Sequence, residues 1–301
     1  MAVKVIDDMG RDVILVREPR RVVSLVPSDT YTLCALGAAD RLVGRTSYCH
    51  EPADVVAGVP VVGGTKDVDP DAVMDLAPEL VLANQEENAR GPLEKLVARG
   101  VPVLVSFPCR VADGFAHMAR VARLLGLARE PAVVELCRTA YQLVRTDNSE
   151  GGPARPRAFV PIWKDPLMTL NQDTFGSDML AQAGADNAFA DRQRAYPLAA
   201  DLGRRSPIAA DRAAERDRRY PRITIEELVA RAPDLVLLPD EPHTFGPDDV
   251  TEMTGLDIPA ARRRAIALVS GKDLFWYGAR AVQGLPRLRA LVSRLAPGSG
   301  S

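Results

Sequence analysis

Large aromatic side chains recur beside short apolar runs in this chain. Tyr48 follows RLVGRTS, Trp163 follows AFVPI, Trp276 and Tyr277 follow ALVSGKDL, and Tyr220 stands just before a helical run. In an open αβ sheet, the loops at the carboxyl ends of the strands line the ligand crevice. Rings in such loops offer broad flat contact to a large ligand, and a few polar groups fix its orientation. Aromatic residues make up only 5% of the chain, yet both tryptophans belong to this set. The chemistry on offer is binding. The competing reading, that each ring plugs the core of its own lobe, is equally available to any single one.

Catalysis has no comparable support. Gly-Lys in VSGKD, Val269 to Asp273, is followed by Asp, and no glycine stands five places earlier, so it is not a phosphate-binding loop. GxSxG, HExxH and GxGxxG are absent. The acid pairs Glu86-Glu87 and Asp248-Asp249 lack a positioned partner for acid–base work. Cys34, Cys49, Cys109 and Cys137 show no CxxC spacing, and His50, His117 and His243 are scattered, so no intrinsic metal or cofactor site is expected. The expected protein is not an enzyme.

Composition narrows the partners. A formal net charge of -2 gives no general pull toward nucleic acid or anionic membrane. No run of 18 apolar residues suggests a membrane span. MAVKVIDDMGRDVILV alternates apolar and charged residues like a β-hairpin and holds no signal-peptide core. As written, the chain is expected in the cytoplasm; a longer precursor would place it in the periplasm or at the cell surface. A monomer is expected.

The elements that must position the rings are legible through a repeat. APELVLA begins at Ala77 and APDLVLL at Ala232, 155 positions later, each after a short amphipathic helix with an acidic start. The spacing is too wide for a solenoid. It points instead to two similar αβ lobes within 301 residues, each built from strands alternating with helices in a parallel sheet. Ser28 or Asp29 is expected to cap the helix TYTLCALG, with Gly37 closing it. EPAVVELCRTAYQLVRTDNSE reads as a helix where the first lobe ends. The expected division is 1–126 for the first lobe with its leading hairpin, 127–150 for the connecting helix and 151–301 for the second lobe. Within the last, residues 193–217 form a charged insertion, exposed and partly helical or disordered. GGPARP reads as a break and PGSGS as a floppy tail.

VIDDMGRDVIL, RVVSLVPSDTYTLCALGAADRLVGRTSYCHEP, VGGTKDVDPDAVMDLAPELVLANQEEN, WKDPLMTLNQDTFGSDMLAQAGADNAFAD and YPRITIEELVARAPDLVLLPDEP together resemble the helical-backbone substrate-binding proteins of ABC importers. The cobalamin-binding branch of that family looks most similar, and the resemblance runs from about Val3 to Leu295. It implies two αβ lobes joined by one backbone helix, with the ligand in a cleft between them and no catalysis. The ligand implied is a corrinoid or a related metal chelate such as haem or an iron-siderophore. Asp71 and Glu226 match acidic residues that dock to the membrane permease. Tyr48, Tyr220, Trp276, Tyr277 and Arg280 match ligand-facing positions, and Thr65, Lys66 and Asn84 stand where cobalamin binders carry tryptophans. Lys66 and Arg280 are expected at the polar edge of the site, with Trp163 among its rings. A cytoplasmic corrinoid-salvage or sensing protein is the alternative, and an enzyme on the same scaffold comes last.

Overall fold

The computed structural model describes residues 2–145, 154–213 and 216–297. The chain divides into two compact units, Met1–Thr146 with Trp276–Val282, and Asp147–Phe275 with Gln283–Ser301. The ends of the expected connecting helix (146–150), the start of the GGPARP break (151–153), residues 214 and 215 of the insertion, and the tail from 298 onward lie outside the described residues.

The first unit opens with an antiparallel hairpin, β1 (Val3–Ile6) and β2 (Asp12–Leu15). Gly10 takes φ 73° in its turn, while the Asp7 carboxylate accepts from the Met9 and Arg11 N–H groups at 2.9 and 2.8 Å. Four parallel strands follow: β3 (Val22–Ser24), β4 (Leu42–Arg45), β5 (Leu80–Asn84) and β6 (Val103–Ser106), in the order β4-β3-β5-β6. Every residue of β3, β5 and β6 is buried. That is the burial of a parallel sheet covered on both faces, and explains why these strands read as continuous apolar runs. Leu25, Val73, Leu96 and Val105 pack into the core between the sheet and its helices. The helices Val111–Leu124 and Pro131–Arg145 carry this unit to its boundary.

The second unit repeats the pattern. Its sheet runs β10-β7-β11-β12, all parallel, with β7 (Arg157–Phe159), β10 (Asp186–Asn187), β11 (Leu235–Pro239) and β12 (Ile266–Val269). RAFVPIW reads as one strand but forms two. After β7, Pro161 begins β8 (Pro161–Trp163), which pairs with β9 (Met168–Thr169) in a separate antiparallel ribbon. Proline cannot donate to a ladder, so the main sheet stops before it.

The repeat extends to side chains. The Arg21 guanidinium donates to the Leu76 carbonyl at 2.7 and 2.9 Å, and Arg157 donates to the Arg231 carbonyl at 2.7 Å. The Glu79 carboxylate accepts from the Arg20 N–H at 2.6 Å, and the Asp234 carboxylate from the Arg157 N–H at 3.0 Å. In each unit an arginine thus caps the carboxyl end of the short helix, and an acid after the proline holds the start of the neighbouring strand.

Three expectations need correction. Neither Ser28 nor Asp29 caps the helix Pro27–Ala35: its N-cap is Val26, proline takes the first turn, and both side chains are buried inside it. Trp276–Val282 groups with the first unit instead of lying in a continuous 151–301 lobe. The reason is local: the Ala279 N–H donates to the Thr32 hydroxyl at 3.1 Å and Tyr277 reaches Asp29. The stretch 193–217 is more than an exposed excursion. It carries the short helices Leu198–Asp201 and Ala210–Ala213 and wraps a buried carboxylate, Asp201, which accepts from the Ala195 N–H at 2.8 Å and the Arg222 N–H at 2.7 Å.

Candidate ligand-binding surfaces

In the first unit the loop after β4 carries Tyr48, whose ring is 59% exposed and lies over Gly64. A side chain at Gly64 would collide first with the Asp67 carboxylate and would also come within 3.3 Å of that ring, so glycine there makes room for both. His50, two residues on, is exposed and sets its ring edge-on to Trp276 at 6.3 Å; Tyr31 does the same from another side at 6.4 Å. Trp276 keeps only 6% exposure. The Arg280 guanidinium sits 5.6 Å from the Tyr31 ring centre and 3.8 Å from the Glu51 carboxylate. It braces this aromatic group more than it offers a free cation.

Several expected contact residues turn inward. Tyr277 is 5% exposed, with its hydroxyl 3.1 Å from the Asp29 carboxylate and 2.8 Å from the Ser106 hydroxyl. Burial, then the nearby Asp29 charge, pushes its pKa well above the usual phenol value. On the other side of Asp29 stands the buried His117 ring, with Nε2 at 2.8 Å. Asn84 is also taken: its side-chain carbonyl accepts from the Glu86 and Glu87 N–H groups at 2.8 and 3.2 Å, and its amide donates to Ser106 at 3.2 Å. Thr65 is 8% exposed, and its carbonyl accepts from Asn88 at 3.0 Å. Asn84 and Tyr277 therefore spend their polar groups on contacts inside the first unit. Lys66 is exposed, with its ammonium donating to the Glu86 carbonyl.

In the second unit Trp163, at the end of β8, is 46% exposed. Its ring lies 5.4 Å from His243, which in turn stands edge-on to Phe245 at 4.7 Å. Lys164 is clasped by Asp249 at 2.5 Å and Glu252 at 2.9 Å; the two acids raise its pKa, and its ammonium holds Asp249 below the usual carboxylate range. Tyr220 is half-buried beneath the Arg219 guanidinium, 5.5 Å from its ring centre. The sequence reading missed His50 and His243 as ring partners. His50 follows Tyr48-Cys49 and His243 follows Asp240-Glu241-Pro242, and only folded contacts single them out.

Asp71 and Glu226 occupy the same helix position, two residues after the N-caps Asp69 and Thr224, and both are exposed. Asp71 accepts from Arg99 at 2.5 Å. The N–H of Glu226 itself, then the Thr224 hydroxyl, hold the Glu226 carboxyl below its usual range.

Among the described residues no group of three or more His, Cys, Asp or Glu could hold a metal ion, and no helix is long and apolar enough to cross a membrane. A shallow depression of about 400 Å³ is lined by Asp8, Phe107, Asp113, Ala116 and Arg120, with none of the expected rings in its lining. Its charges answer one another through the Asp8–Arg120 pair.

This chain is similar to proteins of known binding class. A vitamin B12-binding protein of Pectobacterium carotovorum subsp. carotovorum (strain PC1) is 23% identical over 288 residues, 94% of this chain and 92% of that protein. Among solved structures, the periplasmic heme-binding protein RhuT from Roseiflexus sp. RS-1 shares the fold with a TM-score of 0.69 at 22% identity, over 92% of this chain and 98% of that one. The periplasmic vitamin B12 binding protein BtuF of Vibrio cholerae gives the same TM-score, 0.69, and the same coverage, 92% and 98%, at 17% identity. The family model for periplasmic binding proteins matches residues 22–269, and the chain belongs to that family.

Proposed function

We propose that this protein binds a metal chelate of the corrinoid class and delivers it to an ABC importer, without catalysis of its own. The observation that carries the reading is the exposure of two rings, Tyr48 in the loop after β4 and Trp163 at the end of β8, on a scaffold with a relative named for vitamin B12 binding. Both rings leave large apolar faces in water, and a flat macrocycle covers such faces; each aromatic contact contributes about 0.5–1.5 kcal/mol beyond area burial. The metal arrives inside the ligand, so the protein needs no resident cofactor. Haem is the second reading, favoured by the exposed Tyr48 phenol and His50 imidazole two residues apart, both groups able to ligate iron.

Titration with cyanocobalamin, cobinamide and haemin, followed by absorbance and tryptophan fluorescence, tests the reading. Saturable binding of a corrinoid is expected, weakened about tenfold, or about 1.4 kcal/mol, by Tyr48→Ala or by Trp163→Ala. A haem complex with a shifted Soret band would move the assignment to the second reading. Absence of saturation with all three would end both. Delivery places the protein outside the cytoplasmic membrane, with Asp71 and Glu226 presented to permease arginines. The double variant Asp71→Ala, Glu226→Ala should then abolish uptake while leaving ligand affinity unchanged.

A further inference from the structure

The insertion of the second unit and the residues just after it concentrate guanidinium groups that outnumber their carboxylates, with Asp201 near Arg222 and Asp217 near Arg194. Asp201 organises it: this fully buried carboxylate is occupied by Arg192 at 3.0 Å and by the N–H groups of Ala195 and Arg222. Asp217 is engaged by Arg219 at 2.8 Å. Among the described residues, no carboxylate pairs with the side chains of Arg194, Arg216, Arg218 or Arg222. The Tyr196 ring lies under two of them, 4.6 Å from Arg194 and 4.9 Å from Arg216, and its hydroxyl donates to the Asp217 carbonyl at 2.6 Å.

The orphaned atoms are specific. Nε and Nη1 of Arg222 and Nε of Arg218 are buried and have no hydrogen-bond partner in the protein. A buried donor without an acceptor is costly, and more so when charged. Burial, followed by the like charge of Arg194, pushes the Arg222 guanidinium below its usual pKa. One incoming group relieves both costs: an oxyanion, whose in-plane lone pairs match the guanidinium fork.

We propose that Arg222, with Arg194 beside it and Arg218 tied to Arg194 through a 2.8 Å backbone hydrogen bond, forms an anion-binding site next to the insertion and takes a phosphate or carboxylate group of a small ligand. Tyr196 and Asp201 are positioning residues, one holding Arg194 in place and the other fixing the backbone of Arg222. The site stands on residues of the second unit alone. It does not rest on the chelate reading, and failure of the cobalamin and haemin titrations would leave it intact.

Calorimetry on the full chain in low-salt buffer tests it, with inorganic phosphate in one arm and tricarballylate in the other. Saturable binding of at least one is expected, weakened tenfold or more in Arg222→Gln and unchanged in Arg204→Gln, an exposed arginine of the same insertion. Binding of phosphate alone assigns a phosphate-bearing ligand, and binding of tricarballylate alone a carboxylate-bearing one. If neither saturates, or if Arg222→Gln binds as the parent does, the proposal is overturned. Should Arg222→Gln fail to fold, Arg218→Gln carries the same comparison.

Discussion

Ala77 and Ala232 share a backbone conformation that L-residues rarely adopt, with φ at 42° in one and 47° in the other, each one residue before a proline. Proline disfavours the helical region for the residue before it, so the chain leaves each helix through the left-handed one. The Cβ clash there costs about 1–2 kcal/mol. Glycine would remove it and return about 0.5–1 kcal/mol as lost chain entropy. Both alanines are exposed, so no packing is at stake. Ala77→Gly and Ala232→Gly should each raise the unfolding free energy by up to about 1 kcal/mol, read as a higher urea midpoint at unchanged m. A lowered midpoint in either would mean that the turn is not strained.

Glu79 makes the first unit sensitive to acid. The Arg20 N–H first, and the Arg17 guanidinium next, hold its carboxyl below the usual value. A depressed carboxylate stabilises the fold fully above its unfolded pKa, about 4.3, and that stabilisation is lost as pH falls through the folded value. Glu79→Ala should cost about 1 kcal/mol near neutrality, since water can replace part of what the carboxylate provides. Melting temperatures of parent and variant should converge below about pH 4. A gap that persists there, or widens, would show that the charge is not the source.

The repeat was legible in sequence because it is written in residues adjacent along the chain: helix, Ala-Pro, strand. Its arginine and acid clamps were not, since Arg21 and Glu79 are 58 residues apart. The site was legible only in part. Tyr48 and Trp276 have the same residue class and the same loop setting, and yet one is exposed and the other packed behind Tyr31 and His50. Asp29 looks like a helix cap from its neighbours, but its partners lie 88 and 248 residues away. Asp201 sits in an arginine-rich stretch that reads as solvated surface, and nothing local marks it as a buried carboxylate on which the stretch folds.

Three of the cysteines, the buried Cys49 and the half-buried Cys34 and Cys137, should react slowly. Burial, helped by the Asp54 charge, lifts the Cys34 thiol to about 11, and burial raises Cys49 and Cys137 as well. The thiolate is the reactive form, so at pH 8 only about one Cys34 in a thousand is poised to react. Iodoacetamide labelling followed by peptide mass spectrometry should leave all three unmodified in the native protein and modify them in guanidinium. Rapid native labelling of Cys34 or Cys49 would contradict the packing around them.

The link from Asp29 through Tyr277 to Ser106 joins the helix Pro27–Ala35, the segment after Phe275 and strand β6 inside the first unit. Every member is buried, so each lost hydroxyl leaves a neighbour without its partner and without water to replace it. Tyr277→Phe keeps the ring and its edge contact with His117 at 5.7 Å while removing only the hydroxyl. The expected cost is about 1–3 kcal/mol of unfolding free energy. Ser106→Ala should cost less, because Asn84 loses one acceptor while Tyr277 still reaches Asp29. The two changes share a contact, so their costs should fail to add, with a coupling of about 0.5 kcal/mol or more. Urea denaturation of both single variants and the double variant gives that coupling directly. Strict additivity would mean that the two hydroxyls do not speak to each other, and the segment would then be held by packing of Trp276 and by the Thr32 contact alone.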